Sequence, residues 1–418
     1  MNPVGLALAS LRRRFPDVQS VVIAYSGGRD SHVLLHAAKQ YAGVSVRALH
    51  VAHGMQSAAA HWPDHCAQVC SALEIPLQCL SVDVKTSGQG LEAAAREARY
   101  RAFEQNLQPS DLLLLAHHAQ DQAETLLLRL LRGTGLRGIG AIPEQRRLGQ
   151  AFLWRPLLCV AESDIAHYAS EQRLQWIEDP SNTSLKHDRN YLRARVLPTL
   201  VERWPQTASQ LSGAARKAAE AEQLLEELLT PVLDQMINEA GGLNGEKLKL
   251  APSKQQPYLV RFWLARHADQ MPTEAQLRVL LREVVGARRD ADPKLQLLGG
   301  EIRRHRDYLF WVDASAFDCP EPTEWSDREL ALNFGVQRLS MSSEFGQQLL
   351  IPKGAQVQIR CRCGGERIRL RSGERPLKKV MQDLSVPSWQ RDSTPLLYVD
   401  GELAAIWNYL IAPKFKKI

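Results

Sequence analysis

The stretch that decides the fold of this chain is Val21-Val22-Ile23-Ala24-Tyr25-Ser26-Gly27-Gly28-Arg29-Asp30-Ser31, followed by apolar residues at helical spacing from Val33 to Ala37. A strand, a glycine turn and a helix in this order aim backbone N–H groups at one spot, where the helix dipole favours an anion. The hydroxyls of Ser26 and Ser31 flank the two glycines. This convergence of donors predicts a phosphate-binding loop rather than a plain turn. Because the sequence contains no Gly-x-x-x-x-Gly-Lys-Ser/Thr, a P-loop hydrolase acting on a terminal phosphate is not expected.

Outward from this loop, the first 130 residues alternate short β-rich apolar runs with longer amphipathic segments. That alternation is typical of an α/β fold with a parallel, Rossmann-like sheet, whose ligands bind beyond the carboxyl ends of the strands. The predicted strands are Val21 to Tyr25, Val44 to His50, Leu77 to Val82 and Leu112 to Ala116. The predicted helices are Ser31 to Gln40, Ala58 to Leu73 and Leu91 to Leu107.

The length of 418 residues exceeds what a single core holds, so we expect more than one domain. An Ala/Glu/Leu-rich stretch from Gln206 to Glu239 predicts one long helix, and helical patterns continue to Glu283. Period-two alternation at 359–363 and 368–371 predicts strands. We therefore predict an α/β domain at 1–205, a helical domain at 206–317 and a small α+β domain at 318–418.

The composition, with 44% hydrophobic and 23% charged residues, is that of an ordinary soluble globular protein. No run of about 18 apolar residues suggests a membrane span, and the first residues lack the charge order of a secretory signal. Seven cysteines, an odd number scattered through a long chain, predict no disulfide framework. A cytoplasmic location is expected.

The net charge of +6 is modest, but its distribution is uneven. Eight basic residues face two acidic ones between Ala355 and Val380. Such a basic face is either a phosphate-contacting surface or a solvated strand face, and the charge alone does not decide. Its members are Arg360, Arg362, Arg367, Arg369, Arg371, Arg375, Lys378 and Lys379.

Further motifs follow the loop in order and are spread over about half of the chain. Together with Ser-Gly-Gly-Arg-Asp-Ser they resemble the N-type ATP pyrophosphatases of the PP-loop superfamily, and within them the tRNA(Ile)-lysidine synthase family. The matching segments are residues 50–54 (HVAHG), 92–100 (EAAAREARY), 116–125 (AHHAQDQAET), 132–138 (RGTGLRG), 155–158 (RPLL), 178–182 (EDPSN) and 189–193 (RNYLR). Toward the C-terminus, residues 364–368, 378–380, 387–391 and 395–397 resemble the tRNA-binding end of the longer bacterial lysidine synthases.

The resemblance implies a two-step ligation that uses ATP and Mg²⁺. The 2-carbonyl oxygen of the first anticodon cytidine of an isoleucine tRNA with a CAU anticodon attacks the α-phosphate, and pyrophosphate leaves. The ε-amine of free lysine then displaces AMP, which changes the codon read from AUG to AUA and the identity from methionine to isoleucine. A homodimer is left open as an expectation, and the three domains would be catalytic, substrate-binding and tRNA-binding.

The resemblance also assigns residues to ATP. The loop residues Ser26, Gly27, Gly28, Arg29, Asp30 and Ser31 would hold its pyrophosphate part, and His53 would contact the nucleotide. Asp30 would hold Mg²⁺ or move a proton, unless it only caps the helix that follows. Zinc binding by His50 and His53 is not predicted, because no nearby carboxylate or cysteine completes a site; contact of the pair with ATP is the preferred interpretation.

Two carboxylates, Asp121 and Glu124, share one helix face at the edge of the sheet. In an isolated sequence they could simply favour the helix dipole; in this family they would bind the amines of lysine, and one would accept its proton. His117 would orient the base or nucleotide, or be a structural histidine. Four arginines complete the predicted substrate-binding and catalytic set, since guanidinium groups clamp phosphate or carboxylate; they are Arg96, Arg99, Arg189 and the catalytic candidate Arg193.

Two other functions compete with ligation. A tRNA 2-thiolating enzyme shares the loop and the adenylation step but needs reactive cysteines, often in C-x-x-C spacing, and none occurs here. A non-catalytic tRNA-binding module would tolerate loss of the Ser26–Ser31 loop. The absence of suitable cysteine pairs favours lysine over sulfur as the nucleophile.

Overall fold

The computed structural model describes residues 2–52, 61–84, 91–178, 187–268, 271–288, 291–314, 319–335 and 337–417. It divides into two units, Met1–Leu225 and Glu226–Ile418. His53 and the segment 179–182 lie outside the described residues. The domain boundaries at 205 and 317 remain predictions.

The first unit is built on the strand that precedes the glycine loop. Its elements, in chain order, are α1 Pro3–Ala9, α2 Leu11–Arg14, β1 Ser20–Ala24, α3 Arg29–Tyr41, β2 Ser45–Ala52, α4 Trp62–Ala72, β3 Leu77–Ser81, α5 Leu91–Gln105, β4 Asp111–Leu114, α6 Ala119–Leu131, α7 Leu136–Ile139, β5 Gln145–Leu148, β6 Ala151–Trp154, α8 Glu162–Glu171, α9 Asp188–Tyr191, α10 Leu197–Arg203 and α11 Thr207–Asp234. A π-helical turn, Leu192–Val196, joins α9 to α10, and the boundary between the units falls inside α11.

Six strands form one sheet in the order β3-β2-β1-β4-β6-β5. The first five in this order run parallel, and only β5, at the edge, is antiparallel. The apolar run Val21–Ile23 is completely buried because β1 lies between two neighbours and under helices on both faces, as expected for a parallel sheet. The carboxyl ends of β1, β4 and β6 therefore meet at one edge.

The four predicted strands are confirmed as β1 to β4, with ends that differ by one or two residues. The sequence analysis missed the hairpin of β5 and β6. Each strand has only four residues, and β5 exposes Arg146 and Arg147, so neither gives a clear apolar run. The turn does carry a signal, because Gly149 has a φ of +57° between the two strands.

The second unit begins in α11, which confirms the predicted long helix but ends at Asp234 rather than Glu239. Its further elements are β7 Leu243–Asn244, α12 Gly245–Leu250, α13 Gln256–Leu264, α14 Glu274–Val279, β8 Lys294–Leu297, β9 Gly300–His305, β10 Tyr308–Asp313, β11 Thr323–Glu324, β12 Leu332–Phe334, β13 Gln337–Leu339, α15 Glu344–Gln347, β14 Val357–Arg360, β15 Arg367–Leu370, β16 Gly373–Pro376, α16 Leu377–Asp383, β17 Leu396–Val399, β18 Glu402–Ile406 and β19 Leu410–Ile411.

The middle region is helical only in its first part. An antiparallel sheet in the order β7-β10-β9-β8, in which β7 precedes α12 and the other three strands follow α14, was not predicted. Arg306, with a φ of +56°, forms the tight turn between β9 and β10, a position that sequence patterns assign to glycine or asparagine. Because an arginine stands at this position, the sequence carries no turn signal there, and the hairpin was not predicted.

The C-terminal region contains a five-stranded antiparallel sheet, β11-β14-β17-β18-β19, and two hairpins. The strand predicted at 359–363 ends at Arg360, whereas the one predicted at 368–371 corresponds to β15. A single disulfide joins Cys319 to Cys361, whose Cα atoms are 6.1 Å apart. One bond is not a framework, and it forms because the pairing of β11 with β14 brings these two cysteines together.

Candidate functional site

The loop between β1 and α3 is organised by its own hydroxyls. Ser26 Oγ and Ser31 Oγ are 3.0 Å apart, and Ser31 Oγ also donates to the carbonyl of Gly28 at 2.9 Å. The backbone N–H of Ser26 donates to Ser31 Oγ at 3.2 Å. The predicted convergence of the two serines is thus present, and Gly28, in extended conformation, is the residue that caps α3. Asp30 lies inside the first turn, so the interpretation of Asp30 as the cap is wrong.

Gly27 is the one loop residue whose backbone requires glycine, because its φ is +87°. A Cβ at this position would also lie 3.2 Å from Sγ of Cys66, which packs beneath the loop. The carbonyl of Gly27 accepts a hydrogen bond from the backbone of Ile177 at 3.0 Å. The segment after α8 therefore holds the loop in this shape.

We expect Gly27→Ala to weaken ATP binding by more than tenfold and to lower the free energy of unfolding by about 1–2 kcal/mol, the usual cost of a left-handed conformation with a Cβ. Gly43→Ala is the matched control, since Gly43 has a φ of +65° with open space around a Cβ. It should lose similar stability and keep its ATP affinity, as measured by calorimetric titration. Equal ATP affinities of the two variants would contradict a phosphate site in this loop.

Asp30 connects the loop to the start of α6. One carboxylate oxygen accepts a hydrogen bond from Arg29 Nε at 2.9 Å, and the other lies 3.4 Å from His118 Nε2. Burial opposes the charged form of each partner, but the pKa of Asp30 falls below its ordinary value because His118 and Arg29 outweigh burial. The pKa of His118 rises, since Asp30, Asp121 and Glu162 also outweigh burial. The loop therefore presents an ionised carboxylate.

His118 caps α6 at the carboxyl end of β4. Its Nδ1 accepts from the backbone N–H of Gln120 at 3.3 Å, and its own backbone N–H donates to Asp121 at 3.0 Å. Asp121 thus completes a capping box in the first turn of α6, where the sequence analysis had weighed an interaction with the helix dipole as the alternative. Its second oxygen remains available for a further partner.

That further partner is a pair of arginines from the segment that follows residue 187. Glu124, whose side chain is 0% exposed, accepts from Arg189 Nε at 2.7 Å and from Arg193 Nε at 2.6 Å. Asp121 accepts from Arg189 at 2.7 Å and lies 3.4 Å from Arg193. Burial alone would raise the pKa of Asp121. The opposing effect of His118 and Arg189 is larger, so the pKa falls below its ordinary value. The two predicted carboxylates and two predicted arginines form one network.

A second cluster lies beyond β6. Arg155 is only 2% exposed and donates to the carbonyl of Pro143 at 2.6 Å, to Tyr100 Oη at 3.4 Å and to His117 Nδ1 at 3.3 Å. Burial above all, with the nearby arginines adding to it, lowers the pKa of His117 to about 3 even though Asp121 favours its charged form. His117 is therefore a neutral ring at physiological pH, and its bond to Arg155 shows that it is partly structural.

Arg96 and Arg99 are both exposed on α5, one turn apart as predicted. Arg96 stacks over the ring of Tyr100 at 5.0 Å and donates to its hydroxyl at 3.2 Å. Arg146 of β5 covers the same ring at 4.7 Å. Burial opposes ionisation of Tyr100, but these arginines and Arg155 lower its pKa below the ordinary value. The cluster is strongly positive.

His50 is almost completely buried, with 3% of its surface exposed. It is buried beneath the loop, where its Nδ1 bonds to the carbonyl of Tyr25 at 3.0 Å and lies 3.5 Å from Cys66 Sγ. Burial lowers its pKa, so it is neutral. The contact of His50 with ATP stays a prediction that this burial disfavours, because β2 ends two residues later than predicted and the side chain lies in the core.

Sequence reasoning missed three members of the site. His118, Arg155 and Glu162 lie in or beside matched segments, but no role was assigned to them. Glu162, in the first turn of α8, binds Arg29 at 2.8 Å. Arg155 could have been found only by predicting β6, whose end it follows. His118 carried a signal, since a histidine before Gln120 and Asp121 forms a capping box.

In the second unit, four arginines of the basic face contact an aromatic ring or a carboxylate. Arg360 stacks over Tyr398 at 3.7 Å, and three other arginines bind carboxylates. Lys378 and Lys379 are exposed at the start of α16. The structure therefore places basic side chains around β15, β16 and α16.

Comparison with known protein families gives three matches along the chain. Residues 7–200 match a PP-loop domain, residues 243–310 match the TilS substrate binding domain, and residues 357–417 match the TilS substrate C-terminal domain. The first match contains all of the site described above. The middle match contains most of the sheet that the sequence analysis missed, since it ends within β10.

Whole-length relatives share the same description. A tRNA(Ile)-lysidine synthase of Enterobacter sp. (strain 638) is 40% identical over 93% of this chain and 92% of its own length. One of Coxiella burnetii is 39% identical over 94% and 90%, and one of Legionella pneumophila (strain Paris) is 34% identical over 96% and 94%. The similarity thus extends over both units and is not confined to the ATP-binding loop.

Proposed function

The chain belongs to the tRNA(Ile)-lysidine synthase family, and from that premise we propose that it ligates free lysine to the 2-carbon of the first anticodon cytidine of isoleucine tRNA bearing CAU. ATP is converted to AMP and pyrophosphate, and the product is lysidine. The observation that carries this proposal is the linked site of loop, Asp30, His118 and the Asp121/Glu124 face at one edge of the sheet.

The loop supplies the adenylation step. Its amides and the hydroxyls of Ser26 and Ser31 would bind the pyrophosphate part of ATP at the N-terminus of α3, where charge grows as the cytidine oxygen attacks the α-phosphate. Arg29 forms ion pairs with Glu162 and Asp30. In this proposal it therefore positions the Asp30 carboxylate and does not bind a phosphate. Stabilising the leaving group is what accelerates this step.

Mg²⁺ fits the site only as an ion that ATP brings with it. Within the described residues no group of three or more histidine, cysteine or acidic side chains could hold a metal. Asp30 offers one partly exposed carboxylate beside the loop, and Mg²⁺ in nucleotide sites commonly uses one or two carboxylates plus phosphate oxygens. When bound, the ion would neutralise charge on the phosphates. Asp30 would then be its protein ligand.

Lysine would bind at Asp121 and Glu124. Both carboxylates are occupied by Arg189 and Arg193, so an incoming ammonium group has to displace at least one guanidinium. At Asp121 the better candidate to leave is Arg193, since its 3.4 Å contact there is the longest of the network, whereas Arg189 bonds Asp121 at 2.7 Å. Once released, Arg193 would bind the anionic α-phosphate of the adenylated base.

The amine must lose a proton before it attacks the cytidine carbon. Because its pKa is lowered, Asp121 is a weak base, and we assign it to ammonium binding. Glu124 would accept the proton, and AMP would leave with the electrons of the carbon–oxygen bond. His117, a neutral ring, would contribute hydrogen bonding rather than charge.

The thiolation alternative lacks a suitable thiol near the loop. Burial, followed by the neighbouring thiols, raises the pKa of Cys66 to about 12 and that of Cys70 to about 11. Burial likewise raises the pKa of Cys79. A nucleophilic or sulfur-carrying cysteine needs a lowered pKa, so these properties favour lysine.

The proposal is tested by incubating the protein with ATP, labelled lysine and an isoleucine tRNA transcript carrying CAU. We expect lysine incorporation matched by equal amounts of AMP and pyrophosphate. The methionine tRNA with the same anticodon is the control substrate and should stay unlabelled. Normal tRNA binding with no lysine incorporation would overturn the ligation, and incorporation of labelled sulfur from a persulfide donor would establish thiolation instead.

None of the helices among the described residues has both the length and the apolar character of a membrane span. We propose a cytoplasmic location, where tRNA, ATP and lysine are available. The homodimer remains an expectation from the sequence analysis.

A further inference from the structure

A cavity of about 310 Å³ opens in the C-terminal region between the loop after β14 and the start of α16. Three of its lining side chains are cationic and one is acidic. They are Arg362, Arg367, Lys378 and Glu366. The lining belongs to the basic face, and it differs from the rest of that face because it is concave.

Glu366 fills an anion-binding turn inside this cavity. Its carboxylate accepts from the backbone N–H of Cys363 at 2.5 Å and from that of Gly364 at 2.9 and 3.0 Å. Gly364 and Gly365 have φ values of +99° and +85°, which lets successive amides point the same way. The turn is thus built to hold oxygens that carry negative charge, and in this structure the oxygens belong to the protein's own glutamate.

The positive charge around the turn is only partly compensated. Arg362 binds Asp392 through Nη1 at 3.1 Å, but its buried Nε has no hydrogen-bond partner and lies 3.8 Å from Glu366, too far for a hydrogen bond. Arg367 pairs with Glu374. Lys378 has no ion-pair partner in the described part of the chain. An unsatisfied buried guanidinium N–H is costly unless a ligand completes it.

We propose that this cavity binds one backbone phosphate of the tRNA, whose oxygens replace the Glu366 carboxylate at the turn and accept from Arg362 and Lys378. The choice of RNA as the source of the phosphate rests on the proposed function. It also follows from the surroundings, since exposed Arg369, Arg371 and Lys379 continue the positive surface beyond the cavity. A single free ion would not use these side chains, whereas a polymer with a phosphate at each nucleotide would.

The first test removes the free cation. Lys378→Ala should weaken binding of the tRNA transcript about 3–10-fold and reduce the slope of log K against log salt by about 0.7–0.9, the contribution of one phosphate contact. Lys353→Ala is the matched control, because Lys353 is exposed in the same unit but outside the basic face. Its slope should equal that of the native chain. Identical slopes for both variants would overturn the proposal.

The second test removes the internal competitor. Glu366→Gln keeps an oxygen that can accept from the turn but loses the charge, so tRNA should bind about 3–10-fold more tightly. Glu344→Gln, which neutralises an exposed glutamate in α15, is the control for the general gain of positive charge. Equal tightening by the two variants would show that Glu366 does not occupy a phosphate site. Thermal melts confirm that each variant is folded.

The third measurement separates the sources of phosphate. Calorimetric titration with 1–10 mM inorganic phosphate should give no saturable binding to the native chain without RNA. Saturable phosphate binding combined with an unchanged salt slope in Lys378→Ala would assign the cavity to a free anion and overturn the RNA site. Lysine incorporation is measured separately: its absence in the native chain refutes the ligation, while the salt slopes still report on the cavity.

Discussion

Replacing Asp30 with asparagine should slow pyrophosphate release by about 10²–10³-fold at saturating ATP and tRNA, the loss typical of removing one preorganised electrostatic group. The amide keeps the shape of the side chain and can still accept from Arg29, but it removes the charge that faces His118 at 3.4 Å. It also removes the only carboxylate that the proposal assigns to Mg²⁺. ATP binding should change by no more than ~3-fold, since the loop amides remain.

Single-turnover release of pyrophosphate, measured at several Mg²⁺ concentrations, checks this expectation. A metal role predicts that more Mg²⁺ partly rescues Asp30→Asn, whereas a proton-transfer role predicts no rescue. Asp164→Asn is the matched control, because Asp164 lies in the first turn of α8 and its carboxylate forms no ion pair with the described residues of the site. A rate for Asp30→Asn equal to that of the control would remove Asp30 from the mechanism.

The sequence was sufficient wherever the determining contacts are local. The strand, the loop and α3 are continuous in the chain, and the conformations of Gly27 and Gly28 are set within a few residues, so the phosphate loop could be predicted. The placement of His117 and Asp121 after β4 followed from the parallel sheet by the same reasoning. Secondary structure alone brings these positions to the carboxyl-terminal edge of the parallel sheet.

Long-range pairing could not be predicted in the same way. Glu124 and Arg189 are 65 residues apart, and nothing in either segment indicates that they meet. The sequence analysis gave the carboxylates to lysine and the arginines to anions, whereas in the structure they neutralise each other. His50 illustrates a different difficulty, because a histidine at the expected end of a strand was interpreted as a ligand contact, whereas β2 continues for two more residues and the side chain is buried.

The pairing has a large expected effect on stability. Glu124→Ala should lower the free energy of unfolding by about 2–4 kcal/mol, below the upper values for a broken buried pair because the arginines are about one third exposed. The variant leaves Arg189 and Arg193 with Asp121 as their shared partner. Glu124→Gln keeps one acceptor oxygen and should lose less. Urea unfolding, followed by circular dichroism, measures both.

The matched control is Glu220→Gln, which breaks an exposed i,i+4 pair with Arg216 in the same unit and should cost no more than about 0.5 kcal/mol. Equal losses for Glu124→Ala and this control would mean that the buried network does not stabilise the fold. Unfolding measurements report only on the structural role of Glu124. Its role in substrate binding is tested by the KM values of the Glu124→Gln variant.

If lysine replaces a guanidinium at Glu124, Glu124→Gln should raise the KM for lysine at least tenfold and leave the KM for ATP nearly unchanged. A purely structural glutamate would affect both substrates, because Arg189 in α9 and Arg193 in the π-helical turn that follows would both lose the partner that positions them. Lysine should also protect the native chain against urea in proportion to its occupancy, and fail to protect the variant. Protection of both chains to the same extent would place the lysine elsewhere and return Asp121 and Glu124 to the role that the structure displays, the neutralisation of Arg189 and Arg193.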